Sequence, residues 1–251
     1  MKKTLLAAAS MAIGGLAQAA DITVLATPGI KEAYNELAPQ FEKSANHKVK
    51  TTWAGTVDVL KRIKAGEVFD AVILASDSLE ELVDTSKVMA GSTSDVARSV
   101  VGVAVKAGAP KPDISSTDAV KKTLAAAKSV AISTGPSGVY LNGLFERLGI
   151  MADLKPRLKI APPGSNVGEI VAKGEAEIGF QQVSELIHYP GVTFLGALPA
   201  DLQKVTVFSG GVPVVSREPD AARAFLQFLA APEHQAMLKK HGLDLGTPSA
   251  Y

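Results

Sequence analysis

The sequence predicts an α/β protein folded as two similar lobes around a cleft, and three observations carry that reading. The first is the stretch Gly55 to Asp77, which reads as helix start, amphipathic helix, tight turn and buried strand. The second is an echo of that stretch about 108 residues later. The third is a pair of small-residue segments that interrupt the α/β alternation, as expected where a chain passes between lobes.

In the first segment Val57, Val59, Leu60 and Ile63 recur at three- and four-residue spacing, with Lys61, Arg62 and Lys64 elsewhere, as on a one-sided surface helix. Ala65-Gly66-Glu67 makes the turn. The short apolar run after Asp70 suits a parallel strand buried on both faces. In the echo, Val167 and Val171 stand for Val59 and Ile63, Gly174-Glu175 for Gly66-Glu67, and Ser184-Glu185 for Ser76-Asp77. Pro136 likewise stands for Pro28. Similar punctuation also arises because βαβ units resemble one another, so the constant offset is what favours a repeat.

Taken in order, Ile22 to Ala26 is a strand, and Thr27-Pro28-Gly29 opens a helix with Ile30, Ala33, Tyr34, Leu37, Ala38 and Phe41 on its apolar side. Lys48 to Trp53 is a strand, Ser78 to Val88 a helix, and Ser99 to Val105 a valine-rich strand. Ala107 to Ser116, with two prolines, is read as the passage into the second lobe. There follow helix Thr117 to Ala127, strand Val130 to Ser133, helix Val139 to Leu148, strand Leu158 to Ala161, the helix at Val167 and strand Glu177 to Gln182. Lys204 to Val215 is extended, with Ser209-Gly210-Gly211 read as the return crossing. The helical tail Pro219 to Leu243, broken at Pro232, would cover the first lobe. The expected lobes are 20–103 with 207–251, and 104–206, each a mostly parallel sheet flanked by helices.

Met1 to Ala19 is read as a secretory signal. Lys2-Lys3 is the basic start, Leu5 to Leu16 the apolar run, and Ala17-Gln18-Ala19 the cleavage site. That run is shorter than the roughly 20 residues needed to span a bilayer. Cysteine is absent, which removes disulfides, thiolate chemistry, cysteine-based zinc sites and a lipidated anchor. A periplasmic protein is therefore expected. With 26 basic and 25 acidic residues, the chain offers no electrostatic ground for a nucleic-acid or anionic-membrane partner.

Four small-residue turns open helices after strands: Thr27-Pro28-Gly29, Ala54-Gly55-Thr56, Gly135-Pro136-Ser137-Gly138 and Gly164-Ser165-Asn166. Each leaves backbone N–H groups unpaired at the positive end of a helix. One such turn is ordinary helix-start chemistry. Four in matched positions around one cleft would hold an anion without a counter-charge. Thr27, Pro28, Gly29, Gly55, Thr56, Ser137 and Gly138 are thus candidate ligand contacts, and Ser76 is a further hydroxyl at the close of the repeated segment.

Enzymatic signatures are missing. Val139 spoils G-x-S-x-G, and no G-x-G-x-x-G or phosphate-loop sequence occurs. His47, His188, His234 and His241 show no metal-ligand spacing, so neither a metal nor a cofactor is expected. Trp53 is read as cleft wall or core.

Ile22-Thr-Val-Leu-Ala26, Ile63-Lys-Ala-Gly-Glu67 with Asp70, and Gly138-Val-Tyr140 with Leu148-Gly149 give the mature chain a resemblance to the periplasmic molybdate-binding proteins of ABC importers. The resemblance implies a type II periplasmic binding protein fold with two hinge crossings. It also implies a tetrahedral oxyanion held by backbone N–H groups and hydroxyls. By position, the family's two first-lobe serines fall on Gly29 and Thr56, its second-lobe contacts near Ser137 and Val167, and its tyrosine on Gln182 beside Gln181. Lost hydroxyls and gained amides favour an organic acid or another small anion over molybdate. The expected partners are that small anion and, for a transport protein, a membrane permease, with the mature chain monomeric. The same subfamily is similar to a periplasmic aconitate isomerase, which would need a base. Asp58, Asp77, Tyr140 and Glu185 lie near the cleft turns, with Asp58 read as a helix-start charge and Glu185 as a surface acid.

Overall fold

The structure is a computed structural model that describes residues 19–246. The expected signal segment lies, but for its last residue, outside the described residues. Among them, no helix is long and apolar enough to cross a membrane.

The first lobe begins with β1 (Asp21–Ala26), a single turn over Pro28–Ile30, α1 (Lys31–Ala45), β2 (Lys48–Trp53), α2 (Thr56–Lys64), β3 (Ala71–Ala75) and α3 (Ser76–Asp84). A long strand, β4 (Ser94–Lys106), follows. The second lobe contains α4 (Thr117–Ala126), β5 (Val130–Ile132), α5 (Pro136–Arg147), α6 (Met151–Leu154), β6 (Leu158–Ile160), α7 (Val167–Lys173), β7 (Ile178–Gln182), α8 (Val183–Leu186) and β8 (Val192–Ala197). The chain returns through β9 (Val205–Gly211) and ends in α9 (Pro219–Leu229), α10 (Gln235–Lys240) and β10 (Asp244–Leu245).

The strands run in the order β2-β1-β3-β9-β4-β7-β5-β6, and β8 and β10 also pair with β4. β1, β2 and β3 are parallel, as are β5, β6 and β7. β9 and β4 run against them in the middle. This is a two-lobed α/β arrangement of the kind the resemblance implies, with the lobes' parallel strands on either side of the antiparallel β9 and β4.

The crossings differ from the sequence expectation. β4 pairs with β9 from Ser94 to Val100 and with β7 from Val101 to Val105, so a continuous strand passes between the two halves. Ala107–Ser116 lies beyond that point. Ser209-Gly210-Gly211 is paired along its length with β3 and, at Ser209 and Gly210, with β4, and is buried. Those glycines are there for packing. A Cβ on Gly210 would stand 2.3 Å from Leu226 Cδ2, and one on Gly211 2.7 Å from Val88 Cγ1. β8 and β10 were not anticipated, because one is half-exposed and the other is only two residues long.

Each lobe is a sheet between helices. In the first, Ile22, Val24 and Ile73 pack on α1 and α9 through Tyr34, Leu37, Phe225 and Leu226. Leu25, Val72 and Leu74, on the opposite face, meet Val59, Ile63, Leu79 and Leu82 of α2 and α3. This accounts for the unbroken burial of Ala71–Ala75, since both faces of β3 are covered. Val57 departs from the expected apolar stripe and is 60% exposed at the start of α2. In the second lobe Val130, Ile132 and Phe180 pack on Leu141, Leu144 and Phe145, with Ala131, Val167 and Val171 across the sheet.

The register brings the turns together. Ala26 pairs with Trp53 and with Ile73, and Thr27 N–H donates to Ile73 O at 2.9 Å while Ala54 N–H donates to Ala26 O at 3.0 Å. The turns after β1 and β2 are therefore neighbours. In the second lobe Ile132 pairs with both Ile160 and Phe180, which sets Ser133, Ala161 and Gln181 side by side.

Asp70 locks the opposite end of the first lobe. Its Oδ2 accepts from Thr23 N–H at 2.8 Å and Thr23 Oγ1 at 2.6 Å, and its Oδ1 from Ser216 Oγ at 3.1 Å, Arg217 N–H at 2.8 Å and Glu218 N–H at 3.1 Å. Burial pushes its carboxyl up, but these bonds outweigh it and hold it below the usual range. Stability from a lowered pKa is present above the unfolded-state value and is lost as pH falls through the folded one. Asp70→Asn should cost about 2–3 kcal/mol in urea unfolding at pH 7. The gap to the parent should narrow as the pH falls through the Asp70 pKa.

Candidate functional site

All four strand-to-helix turns line one cavity of about 290 Å³ between the lobes. Thr27, Pro28, Gly29, Gly55 and Thr56 form the first-lobe wall. Ser133, Thr134, Gly135, Pro136, Ser137, Pro163, Gly164 and Ser165 form the second-lobe wall. Gln181, Gln182, Glu185 and Phe208 complete the lining from the crossing strands and α8. The walls come close: a Cβ on Gly55 would lie 3.7 Å from Gly164 N, and Ser184 Oγ donates to Gly29 O at 2.7 Å.

Helix starts usually carry a side-chain cap that consumes backbone donors. Here the residues before the Pro28 turn, before α2 and before α5 are Thr27, Gly55 and Gly135, and none caps with its side chain. Their first N–H groups stay open toward the cavity. Buried hydroxyls surround them. Thr56 and Thr27 face each other at 3.5 Å, and Ser133 and Ser137 at 3.1 Å. No Lys, Arg or His stands among the described residues of this lining. Among the described residues no group of three or more His, Asp or Glu is placed to hold a metal.

The fourth turn behaves differently. Asn166 caps α7 by accepting from Gly168 N–H at 2.7 Å, and Gln181 Oε1 accepts from Val167 N–H at 2.7 Å. Val167 was a candidate donor to ligand, but its N–H is taken and its side chain belongs to the core. Two more candidates fall outside the cavity. Gly138 is a packing glycine, since a Cβ there would sit 1.7 Å from Ser133 O. Ser76 lines a separate cavity of about 690 Å³, where Glu80, Asp84 and Asp95 make the surroundings acidic. A third cavity, of about 700 Å³, lies on the outer side of the second lobe and has no open helix start.

Gly29 has a physical reason to lack a side chain: its Cβ would lie 2.3 Å from Cζ of Phe208, whose buried ring lines the cleft. Gln182 donates to Thr206 Oγ1 at 2.9 Å, leaving its Oε1 buried without a protein partner. Among the four residues considered as a base, Tyr140 hydrogen-bonds the Leu202 carbonyl at 3.1 Å, and Asp77 is exposed beside Lys204. Asp58 lines the cavity from the first turn of α2.

Glu185 corrects the sequence reading. It is not a surface acid but part of the cleft wall, with Oε1 accepting from Gln181 Nε2 at 2.8 Å. Burial pushes its carboxyl up to about 7, against the smaller opposing pull of the Gln181 bond. Sequence reasoning missed it because nothing in Ser184-Glu185 says that Asn166 Nδ2, 3.0 Å from Glu185 O, ties α8 to the start of α7. Ser133, Phe208 and Pro163 were likewise outside the named candidates, and Gly164-Ser165 was named only as part of a helix-opening turn.

Chemically, the cleft offers converging neutral donors, one aromatic wall and one acid that titrates near neutrality. Comparison with known proteins agrees with a binding cleft on this fold. An aconitate isomerase from Pseudomonas sp is 38% identical over 228 residues, covering 88% of this chain and 87% of that protein. The molybdate-binding protein ModA of Escherichia coli K12 is 26% identical over 247 residues, 95% of each. The periplasmic molybdate-binding protein of Azotobacter vinelandii superposes with a TM-score of 0.75 at 23% identity, over 90% of this chain and all of that one. The family model described as bacterial extracellular solute-binding protein matches residues 22–244, and the chain belongs to that family.

Proposed function

We propose that this chain is a periplasmic solute-binding protein that captures a small carboxylate anion between lobes 20–103 with 207–251 and 104–206, and delivers it to the membrane permease of an ABC importer. The observation that carries the reading is the set of three uncapped helix starts opening on one cation-free cavity. Backbone dipoles and hydroxyls solvate an anion there without a buried counter-charge. A volume of about 290 Å³ suits a molecule with few heavy atoms.

A carboxylate fits the lining better than a tetrahedral metal oxyanion. Gly29 supplies no hydroxyl, Phe208 fills the space beside it, and the Gln182 amide spends its N–H on Thr206, so the side-chain donors a tetrahedral oxyanion would need are fewer. Capture would favour the closed form only by the difference in affinity between closed and open forms. Contact with donors from both lobes provides that difference.

A second reading is supported by Glu185 and by the 38% identical relative named aconitate isomerase. On a bound allylic polycarboxylate, ionised Glu185 would take a proton from the methylene carbon as the double bond shifts. It would then return that proton to the former vinylic carbon, so that no atom or electron is gained or lost. A base with a pKa near the working pH suits such a transfer.

Three measurements test these readings. Thr56→Ala with Ser137→Ala should weaken anion binding ten- to a hundredfold in calorimetric titration, by about 1.5–3 kcal/mol, with a small change in melting temperature. Unchanged affinity would remove the cleft assignment. Gly29→Ser, which restores a hydroxyl, should destabilise the fold by about 1–3 kcal/mol through the Phe208 clash and should not raise molybdate affinity. Incubation of the protein with cis-aconitate, followed by NMR, decides between binder and isomerase: accumulation of the trans isomer establishes turnover, and saturable binding alone excludes it.

A further inference from the structure

We infer that capture of an anion in this cleft is coupled to protonation of Glu185, so that the site takes one proton with its ligand and Glu185 is the residue that meets a ligand carboxylate. The inference deepens the anion-binding reading and rests on it. Its first ground is geometric. The lining holds two acids, Asp58 and Glu185, and no cation among its described residues. An anion drawn to the open N–H groups is therefore brought toward Glu185 with nothing to offset the repulsion.

The second ground is how Glu185 is held. Gln181 Oε1 is committed to Val167 N–H at 2.7 Å, which fixes the amide so that its Nε2 faces Glu185 Oε1 at 2.8 Å. The other carboxyl oxygen has no hydrogen-bond partner among the described residues. In its acid form that oxygen can carry an O–H toward the cavity and donate to a carboxylate. In its ionised form it can only accept. The third ground is that the neighbouring amide, Gln182, adds no donor to this wall: its Nε2 is spent on Thr206 Oγ1 at 2.9 Å, and its Oε1 is shut away without a partner. A proton on Glu185 is what supplies a donor here.

No other charge on the surrounding elements answers Glu185. On β4, Arg98 pairs with Asp244, and Lys106 lies beside Gly174 at the far end of the strand. On α7, Lys173 pairs with Glu169. Beyond α8, His188 bonds the Lys240 carbonyl, while Lys240 and His241 both meet Glu36. The turn at Pro28–Ile30, β7 and β8 carry no charged residue. Across the cleft Asp58 adds repulsion. Burial already places the free carboxyl at about 7, and a second carboxylate sharing the site raises it further.

The test is calorimetric titration of the full protein with cis-aconitate, citrate and molybdate from pH 6 to 8.5, in paired buffers of different ionisation enthalpy. The parent should take up close to one proton per bound carboxylate ligand near pH 8, and its affinity should fall up to about tenfold per pH unit above 7. Glu185→Gln keeps the shape and an N–H donor. It should bind with no proton uptake and a flat profile, and its melting curve checks that it folds. Parent binding that is flat with pH, or uptake that persists in Glu185→Gln, overturns the proton coupling and leaves the anion cleft standing. Failure of parent and variant alike to bind any of the three anions at pH 6 overturns the cleft itself.

Discussion

A helix start leaves N–H groups that the helix cannot pair, and the structure is arranged around leaving some of them open. At two helix starts the chain satisfies such a group with a side chain, Ser116 for α4 and Asn166 for α7. At Thr27, Gly55 and Gly135 it does not. Open donors buried without water or ligand would cost about 1–3 kcal/mol each. They are tolerable only where a cavity keeps them accessible. Parallel register at the carboxyl ends of β1, β2 and β5 is what directs all three into the same gap.

The crossing strand constrains the rest. β4 is 13 residues long and belongs to both halves of the sheet, so the lobes share one rigid element and do not hang on a loop. The cleft-lining amides sit beside that passage, since Gln181 and Gln182 close β7 opposite Gly102 and Val101. Gly55 and Gly164 face each other across the cleft, where a Cβ on Gly55 would lie 3.7 Å from Gly164 N.

Local chemistry was readable from the sequence, and chemistry made by distant partners was not. The 3.6-residue period around Val59 and Ile63, the Gly and Pro punctuation, and the apolar run before Ser76 each depend on neighbours in the chain. The two-lobed fold and the four turns could be reached from them. Position alone could not show that Gln181 consumes the Val167 N–H from 14 residues away. Nor could it show that Phe208, far along the chain, forbids a side chain at Gly29. Glu185 looked like a solvated acid because a four-residue helix has too little periodicity to reveal which side faces a cleft.

That one carboxyl also frames the difference between a carrier and an enzyme on this scaffold. Holding an anion favours the acid form of Glu185, which donates. Removing a proton from carbon requires the ionised form, which accepts. A carboxyl buried enough to titrate near 7 has both forms at working pH, whereas a surface glutamate near 4.5 would offer only one. The outcome is then set by which ligand atom the open N–H groups bring against the carboxyl. If they hold an oxygen there, Glu185 lends a proton and the ligand leaves unchanged. If they hold an allylic methylene there, the same geometry is that of a base poised beside its substrate.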